Sequence, residues 1–332
     1  MALNADYVEL KRLVKQQGLL DAQTAYYVFK SLVAVLTLAL GVAIGLLSTN
    51  TWILLADAAF LGFASTQIAL LGHDVGHRQA FRGRRANQVA RLALGGVLLG
   101  ISHSWWNTKH NQHHATPNHV DKDPDIQFPM IAFSPAQIAS RHPVLRPLIA
   151  IQAFLFVSLL PFQAINMRIT SATHLLSGTA RNPVLQGALM AVHAVLYVLL
   201  LAQLPSVGVA VAFAVVHQAT FGLYNSSVFA SNHKGMTIIH ENERLGFLRE
   251  QVLTSRNVSG APVLDFWYGG LNYQIEHHLF PTMPRNNLRK AQVLVERFCK
   301  ERGILYHSTS LFQSYREGFL HLHQVGASVR GQ

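Results

Sequence analysis

Cys299 is the single cysteine of the 332-residue chain. No intramolecular disulfide can form, and neither a four-cysteine zinc site nor a cysteine-ligated iron–sulfur cluster is available. Charge is scarce as well: 13% of the residues are Asp, Glu, Lys or Arg, against about 25% in a soluble domain. Acidic residues are the scarcer kind, 16 against 27 Lys and Arg, which leaves a formal net charge of +11. The sequence contains no HExxH, GxGxxG or CxxC pattern, so a zincin helix, a dinucleotide fold and a dithiol site have no basis in it. No cleavable signal peptide is expected, because the first apolar run starts near Val28 behind a polar, charged stretch and is too long for an h-region.

What the chain does have is apolar sequence, half of its residues, arranged in runs. Residues 28–47 and 52–71 are long enough for helices to cross a hydrocarbon core of about 30 Å. Residues 92–101 are too few to span and suggest an interfacial or re-entrant piece. Three further runs occupy 147–164, 184–204 and 207–229. Residues 1–27 carry an apolar stripe (Tyr7, Leu10, Leu13, Val14) and read either as an amphipathic helix on the membrane surface or as an ordinary soluble lead-in helix. Near the end, 287–302 has the pattern of an amphipathic helix stopped by Gly303.

Eighteen histidines are many, and three groups stand out: His73 with His77, His110 with His113 and His114, and His277 with His278 behind Gln274. Helical residues at i, i+3 and i+4 share one face, so each group is expected to point its imidazoles one way, as a metal site requires. A lone histidine is more often structural than a ligand, which suits His142, His174, His307, His321 and His323. Seven histidines in three combs are a different matter, and neutral imidazole binds iron, zinc and copper alike.

The combs lie in residues 72–146 and 232–332, and one metal site needs both stretches on one side of the membrane. One of the later runs should therefore not cross. Residues 147–164 are the weakest, interrupted by Pro161 and diluted by Gln152 and Gln163. The positive-inside rule agrees: Arg168 and Arg181 lie in the 165–183 loop, while the 48–51 and 205–206 links hold no Lys or Arg. The expected architecture is an all-α integral membrane protein. An N-terminal segment, 1–27, leads into one domain, 28–332, with four spans at about 28–47, 52–71, 184–204 and 207–229. Interfacial helices and a cytoplasmic cap (72–146 and 232–332) complete it, with both termini on the cytoplasmic face. His193 and His217 are expected to be buried and hydrogen-bonded, and Asp57 to be solvated near the outer end of its span. Gly62, Ala64, Ser65 and Thr66 either line an acyl channel or pack helices closely.

The order HxxxH, HxxHH, QxxHH around paired spans resembles the membrane-bound fatty acid desaturases, most closely bacterial, actinobacterial acyl desaturases. Further stretches are similar: Trp105 and Trp106, Lys109 to Asn111, Asp121 to Asp125, Ser231 to Met236, and Leu271 to Pro281. The resemblance covers roughly residues 28–300. It implies two irons held by His73, His77, His110, His113, His114, His277 and His278, with His233, after the last span, as an eighth ligand. Candidates for orienting these imidazoles are Asp74, Asn111, Asp123, Asp125 and Glu276. Gln274 stands where many relatives have histidine; a weak carbonyl ligand, a water holder and mere packing all remain open for it.

An unactivated methylene C–H bond is too strong for side-chain acid–base attack, so its cleavage belongs to a cofactor working with O2 and two electrons. The implied activity is O2-dependent desaturation of a long acyl chain carried on CoA, a carrier protein or a lipid; hydroxylation or acetylenic-bond formation on the same site is the alternative. The sequence has no HPGG motif for a fused cytochrome b5-like domain, so a separate donor is expected: a ferredoxin with its reductase, or a cytochrome b5-like protein. Arg82, Arg84 and Arg85 offer a basic face for an acidic donor or for lipid headgroups, and no nucleic acid is called for. The implied location is a bacterial cytoplasmic membrane, with the active site facing the cytoplasm. A zinc hydrolase is disfavoured by the missing HExxH. A metal transporter is disfavoured because its ligands belong at mid-membrane.

Overall fold

The computed structural model describes residues 4–81, 83–241 and 243–330, and Arg82 lies outside them. The chain is mostly helical; a two-residue parallel pairing of Asn257–Val258 with Ser308–Thr309 joins its C-terminal part. It divides into two compact units, one made of residues 1–21, 109–159 and 228–332, the other of 22–108 and 160–227.

The second of these units is built from apolar helices. Among the described residues, five helical stretches are long and apolar enough to cross a membrane: Thr24–Leu47, Thr51–Gly76, Gln152–Leu176, Pro183–Ala202 and Val207–Ala230. The sequence reading counted four, and the additional one is the run interrupted by Pro161. Pro161 does not end it: Gln152–Leu159 passes through a 3-10 turn, Leu160–Phe162, into Gln163–Leu176. The integral membrane character follows from these helices and from the side chains they leave uncovered. Phe29, Leu36, Val195, Val198, Val211 and Val215 are exposed, and a bilayer is the solvent that accommodates such a surface.

Local signals set the helix ends. Asn50 caps Thr51–Gly76, its Oδ1 accepting from the backbone N–H of Trp52 at 2.9 Å and of Ile53 at 3.2 Å. The short run expected to be interfacial or re-entrant is a π-helix, Leu92–Leu99, with Leu94, Gly96 and Leu99 buried. The small residues of Thr51–Gly76 serve close packing: a Cβ on Gly62 would lie 2.9 Å from the His217 carbonyl oxygen. His217 is buried, 3.2 Å from Ser65 Oγ and 2.9 Å from the Tyr197 hydroxyl, and His193 Nδ1 donates to the Val97 carbonyl at 3.1 Å.

Asp57 departs from expectation. It is buried rather than solvated, and neither carboxylate oxygen has a hydrogen-bond partner among the described residues. Gly41 and Gly45 face it, at 3.3 and 3.4 Å from where their Cβ atoms would be. Two glycines one helical turn apart open a notch in Thr24–Leu47, and the carboxylate sits in it instead of reaching water.

The other unit has a conventional apolar core. Leu10 and Val14 of Ala5–Gln16 pack with Leu248, Val252, Ile275, Leu279, Leu288, Val295 and Phe298. The apolar stripe of the first helix is thus covered by protein rather than left for a lipid surface. Arg302 pins that helix from outside through Asp6 at 2.9 Å and Glu9 at 2.5 Å. The amphipathic C-terminal helix is Arg285–Glu301, and Gly303, at φ +62°, supplies the left-handed residue that stops it. Gln152 is fully buried here, donating to the carbonyls of Ala132 and Leu322 at 2.9 Å and accepting from the Ala132 N–H at 2.8 Å.

Gly222 tests the packing of the apolar unit: a Cβ there would fall 2.0 Å from the Pro161 carbonyl oxygen, whereas at Gly187 the nearest atom is 3.9 Å away. In an exposed helix Gly→Ala is stabilising. Gly222→Ala should therefore reverse sign and destabilise by about 1–3 kcal/mol through overpacking, while Gly187→Ala is neutral or better, both read by thermal unfolding in detergent.

Candidate metal centre

Six of the expected ligands come together in the first compact unit. The helix His103–Ala115 carries His110, His113 and His114, the helix Gln274–Leu279 carries His277 and His278, and His233 lies in the segment after the last apolar helix. They do not form one comb each, as the spacing suggested. Neighbouring helical residues are rotated by about 100°, so His113 and His114 diverge, and so do His277 and His278. The result is two clusters. In one, His114 Nε2 lies 3.1 Å from His110 Nε2 and 3.2 Å from His277 Nε2. In the other, His113, His233 and His278 place one ring nitrogen each within 4.8 Å of one another. The rings of His114 and His278 stack between the clusters at 4.2 Å.

The second cluster shows which nitrogen faces inward. His113 Nδ1–H donates to both oxygens of Asp123 at 3.0 Å, His233 Nδ1–H to the Thr254 carbonyl at 3.0 Å, and His278 Nδ1–H to Gln251 Oε1 at 2.9 Å. A neutral imidazole has one N–H, so each Nε2 is left as a lone pair. His278 Nε2 is buried and has no hydrogen-bond partner among the described residues. Burial first, and neighbouring imidazoles second, hold the His278 ring far below the usual histidine range, and burial with His113 beside it does the same for His233. These rings stay neutral, as ligands must. Burial would also lower His113, but the Asp123 and Asp125 carboxylates outweigh it and raise its basicity. Imidazole–metal bonds of about 2.1 Å place adjacent nitrogens about 3.0–3.4 Å apart, the spacing found around His114. The donor set therefore fits first-row metal ions, one per cluster, and suits iron among them.

The acceptors behind the rings are themselves fixed. Asp123 is fully buried and also accepts from the backbone N–H of Asn118 at 2.7 Å and of Asp125 at 2.9 Å. Asn118, in a left-handed conformation at φ +54°, donates through Nδ2 to the carbonyls of His233 at 3.0 Å and Thr237 at 3.2 Å. That side chain joins the loop after His103–Ala115 to the His233 segment. Asp125 pairs with Lys109. Asn111 is exposed on the His103–Ala115 helix. Gln274 is buried beside His233, its Nε2 2.9 Å from His233 Nε2. Gln251, Thr254, Asn118 and Asn232 were missed by sequence reasoning; an amide in a short amphipathic helix or a backbone carbonyl carries no spacing signal.

Glu276, between Gln274 and the histidine pair, turns away from them. It is fully buried, accepting from Asn257 Nδ2 at 2.7 Å and the Tyr306 hydroxyl at 2.9 Å. Burial pushes its carboxyl up to about 7, although both hydrogen bonds oppose this.

His73 and His77 lie in the other compact unit, at the C-terminal end of Thr51–Gly76, one turn apart with ring centroids 4.7 Å from each other. Trp106 packs edge-on against both, at 5.7 and 5.5 Å. Gly76 admits it: a Cβ there would lie 2.2 Å from the indole. Asp74 Oδ1 is 3.5 Å from His73 Nδ1.

Against this geometry the comparisons are direct. The family described as fatty acid desaturase matches residues 50–310. The chain belongs to the fatty acid desaturase family. It is 30% identical over 340 residues to a protein named Delta(6)-fatty-acid desaturase fat-3 from Caenorhabditis elegans, covering 98% of this chain and 76% of the relative. It is 33% identical over 318 residues to an acyl-lipid (9-3)-desaturase of Physcomitrium patens, covering 92% of this chain and 60% of that protein's length. It is 27% identical over 336 residues to Delta(5) fatty acid desaturase fat-4 of C. elegans, covering 94% of this chain and 72% of the relative. The protein is thus an oxidoreductase that desaturates fatty-acyl chains.

Asp123→Asn keeps the shape but loses one carboxylate oxygen behind His113. Loss of such a partner costs about 10–100-fold in metal affinity or activity, so anaerobic Fe(II) titration of the desaturase should show one weakened class of site and one unchanged. Cys299 gives a second check: burial, with Glu276 nearby, pushes its thiol up to about 12. The folded protein should resist iodoacetamide at pH 8 and react on unfolding; alkylation at the rate of a free thiol would contradict the packing around it.

Proposed function

We propose that the chain is a di-iron acyl desaturase whose ligands are His110, His114 and His277 in one cluster and His113, His233 and His278 in the other, with His73 and His77 completing the set. The observation that carries this reading is the uniform polarity of the second cluster: three buried rings, each with Nδ1 committed to an acceptor and Nε2 turned inward. When bound, the irons supply the O2-driven oxidation that no side chain can perform. The net reaction takes an acyl CH2–CH2 pair, O2, two electrons and two protons to CH=CH and two waters. The residues hold and exclude: Asp123, Thr254 and Gln251 fix the tautomers, and, themselves fully buried, they keep bulk water from the rings of the second cluster.

Four spans with the catalytic face and both termini cytoplasmic remain the preferred topology, although five helices are long enough. Residues 1–21, 109–159 and 228–332 form one compact unit, so an even number of crossings must separate each from the next. Two lie between 21 and 109. Of the three candidates between 115 and 228, one must turn back, and Gln152–Leu176, broken at Pro161 and rooted through buried Gln152, is the one assigned. Electrons come from a separate ferredoxin or cytochrome b5-like protein, for which the exposed Arg84 and Arg85 offer a basic approach. The relatives are named for Delta(5), Delta(6) and Delta(8) positions, counted from the carboxyl end, which supports a double bond inserted near that end. The acyl group is carried on CoA, a carrier protein or a lipid.

Expression in a desaturase-deficient host, with products located by mass spectrometry and His113→Ala as control, tests the proposal. A new double bond on the carboxyl side, absent from the control, is the expected result. Gain of one oxygen instead of loss of two hydrogens would move the activity to hydroxylation.

A further inference from the structure

Gln274 sits against the His113–His233–His278 cluster, and the direction of its amide is forced by groups that have no choice of role. His233 gives Nδ1–H to the Thr254 carbonyl at 3.0 Å, so the Nε2 that faces Gln274 is a lone pair. The atom of Gln274 beside it, at 2.9 Å, is Nε2, which can only donate. At the far end the constraint is equally firm. Asn232 Nδ2 lies 2.5 Å from the Leu271 carbonyl, which can only accept, so that end of the Asn232 side chain is its amino group. Its second N–H faces Gln274 Oε1 at 3.3 Å. Asn232 Oδ1 accepts from Ser231 Oγ, which in turn accepts from the buried Tyr268 hydroxyl at 3.0 Å. Two backbone carbonyls, those of Leu271 and Thr254, therefore fix the sense of every amide between them. The oxygen of Gln274 is committed to Asn232, and its amino group is turned to the cluster.

We infer that Gln274 serves the iron site as a fixed N–H donor held in place by Asn232, and is not one of its ligands; this rests on reading the three-histidine cluster as an iron site. A carboxamide nitrogen has no lone pair to offer a metal, and the carboxamide oxygen, which has, is turned away. Once a metal takes the His233 Nε2 lone pair, the Gln274 N–H loses that acceptor and faces the coordination space, where it favours an oxygen that can accept. Asn232 is a positioning residue: it sets which end of Gln274 is presented. The chain behind it orients rather than conducts, since two amides interrupt any hydroxyl path for protons.

The test uses the 332-residue chain loaded anaerobically with Co(II), whose d–d absorption reports the number and kind of ligands. Gln274→Leu should keep the metal-to-protein ratio and the band positions of the wild type. Asn232→Asp replaces the amino group that faces Gln274 Oε1 with an acceptor. The Gln274 amide should turn over, present its oxygen to the metal and shift the bands. The double variant Asn232→Asp/Gln274→Leu should return the spectrum to that of the wild type. Loss of one cobalt or a band shift in Gln274→Leu would make Gln274 a ligand and overturn the inference. A shift that persists in the double variant would overturn the role given to Asn232. Failure of the wild type to bind cobalt at all would instead remove the iron-site reading itself.

Discussion

An imidazole that is to bind a metal through one ring nitrogen must give the proton on its other nitrogen to a fixed acceptor, or the ring will neither hold its tautomer nor its direction. Much of the compact unit made of residues 1–21, 109–159 and 228–332 is arranged around that requirement. Asp123, the Thr254 carbonyl and Gln251 come from three different stretches of chain, and each stands behind one ring of the His113–His233–His278 cluster. The acceptors need holding in turn, which explains why Asn118 adopts a left-handed conformation to tie its loop to the His233 segment, and why Asp123 is buried among backbone N–H groups.

The two units answer different solvents. Helices such as Pro183–Ala202 leave aliphatic side chains outward and bury polar ones in pairs, as His217 does with Ser65 and Tyr197. The other unit inverts this, with a buried apolar core that includes Leu10, Ile275, Leu288 and Phe298. Asp57 is the exception to both patterns, a carboxylate lodged against glycines without a hydrogen-bond partner among the described residues.

The apolar runs and histidine boxes were legible because both are local patterns, one of composition over about 20 residues and one of spacing within a helical turn. The division of the boxes into two clusters was also written in the sequence, in the adjacency of His113 with His114 and of His277 with His278, but spacing was read as a shared face. Gln251 and Asn232 were not legible at all, because their roles arise from contacts between segments far apart in sequence. Asp57 was misjudged for a related reason. Position along a span suggested water, whereas the notch made by Gly41 and Gly45 belongs to the neighbouring helix. Length and composition alone do not decide which helices cross: among the described residues five qualify, one of them broken at Pro161, where the sequence reading counted four.

The compact unit that holds both three-histidine clusters is stitched from residues 1–21, 109–159 and 228–332. Read as an order of synthesis, this means that the first two pieces leave the ribosome long before the third exists. His110, His113 and His114 emerge with no cluster to join, and they wait while two or more membrane helices are made and inserted. Assembly of the two histidine clusters is therefore a late event in the life of each molecule, coupled to the synthesis of residues 228–332. A chain stalled after Val207–Ala230 would have its apolar helices made and would lack His233, His277 and His278, half of the six clustered rings.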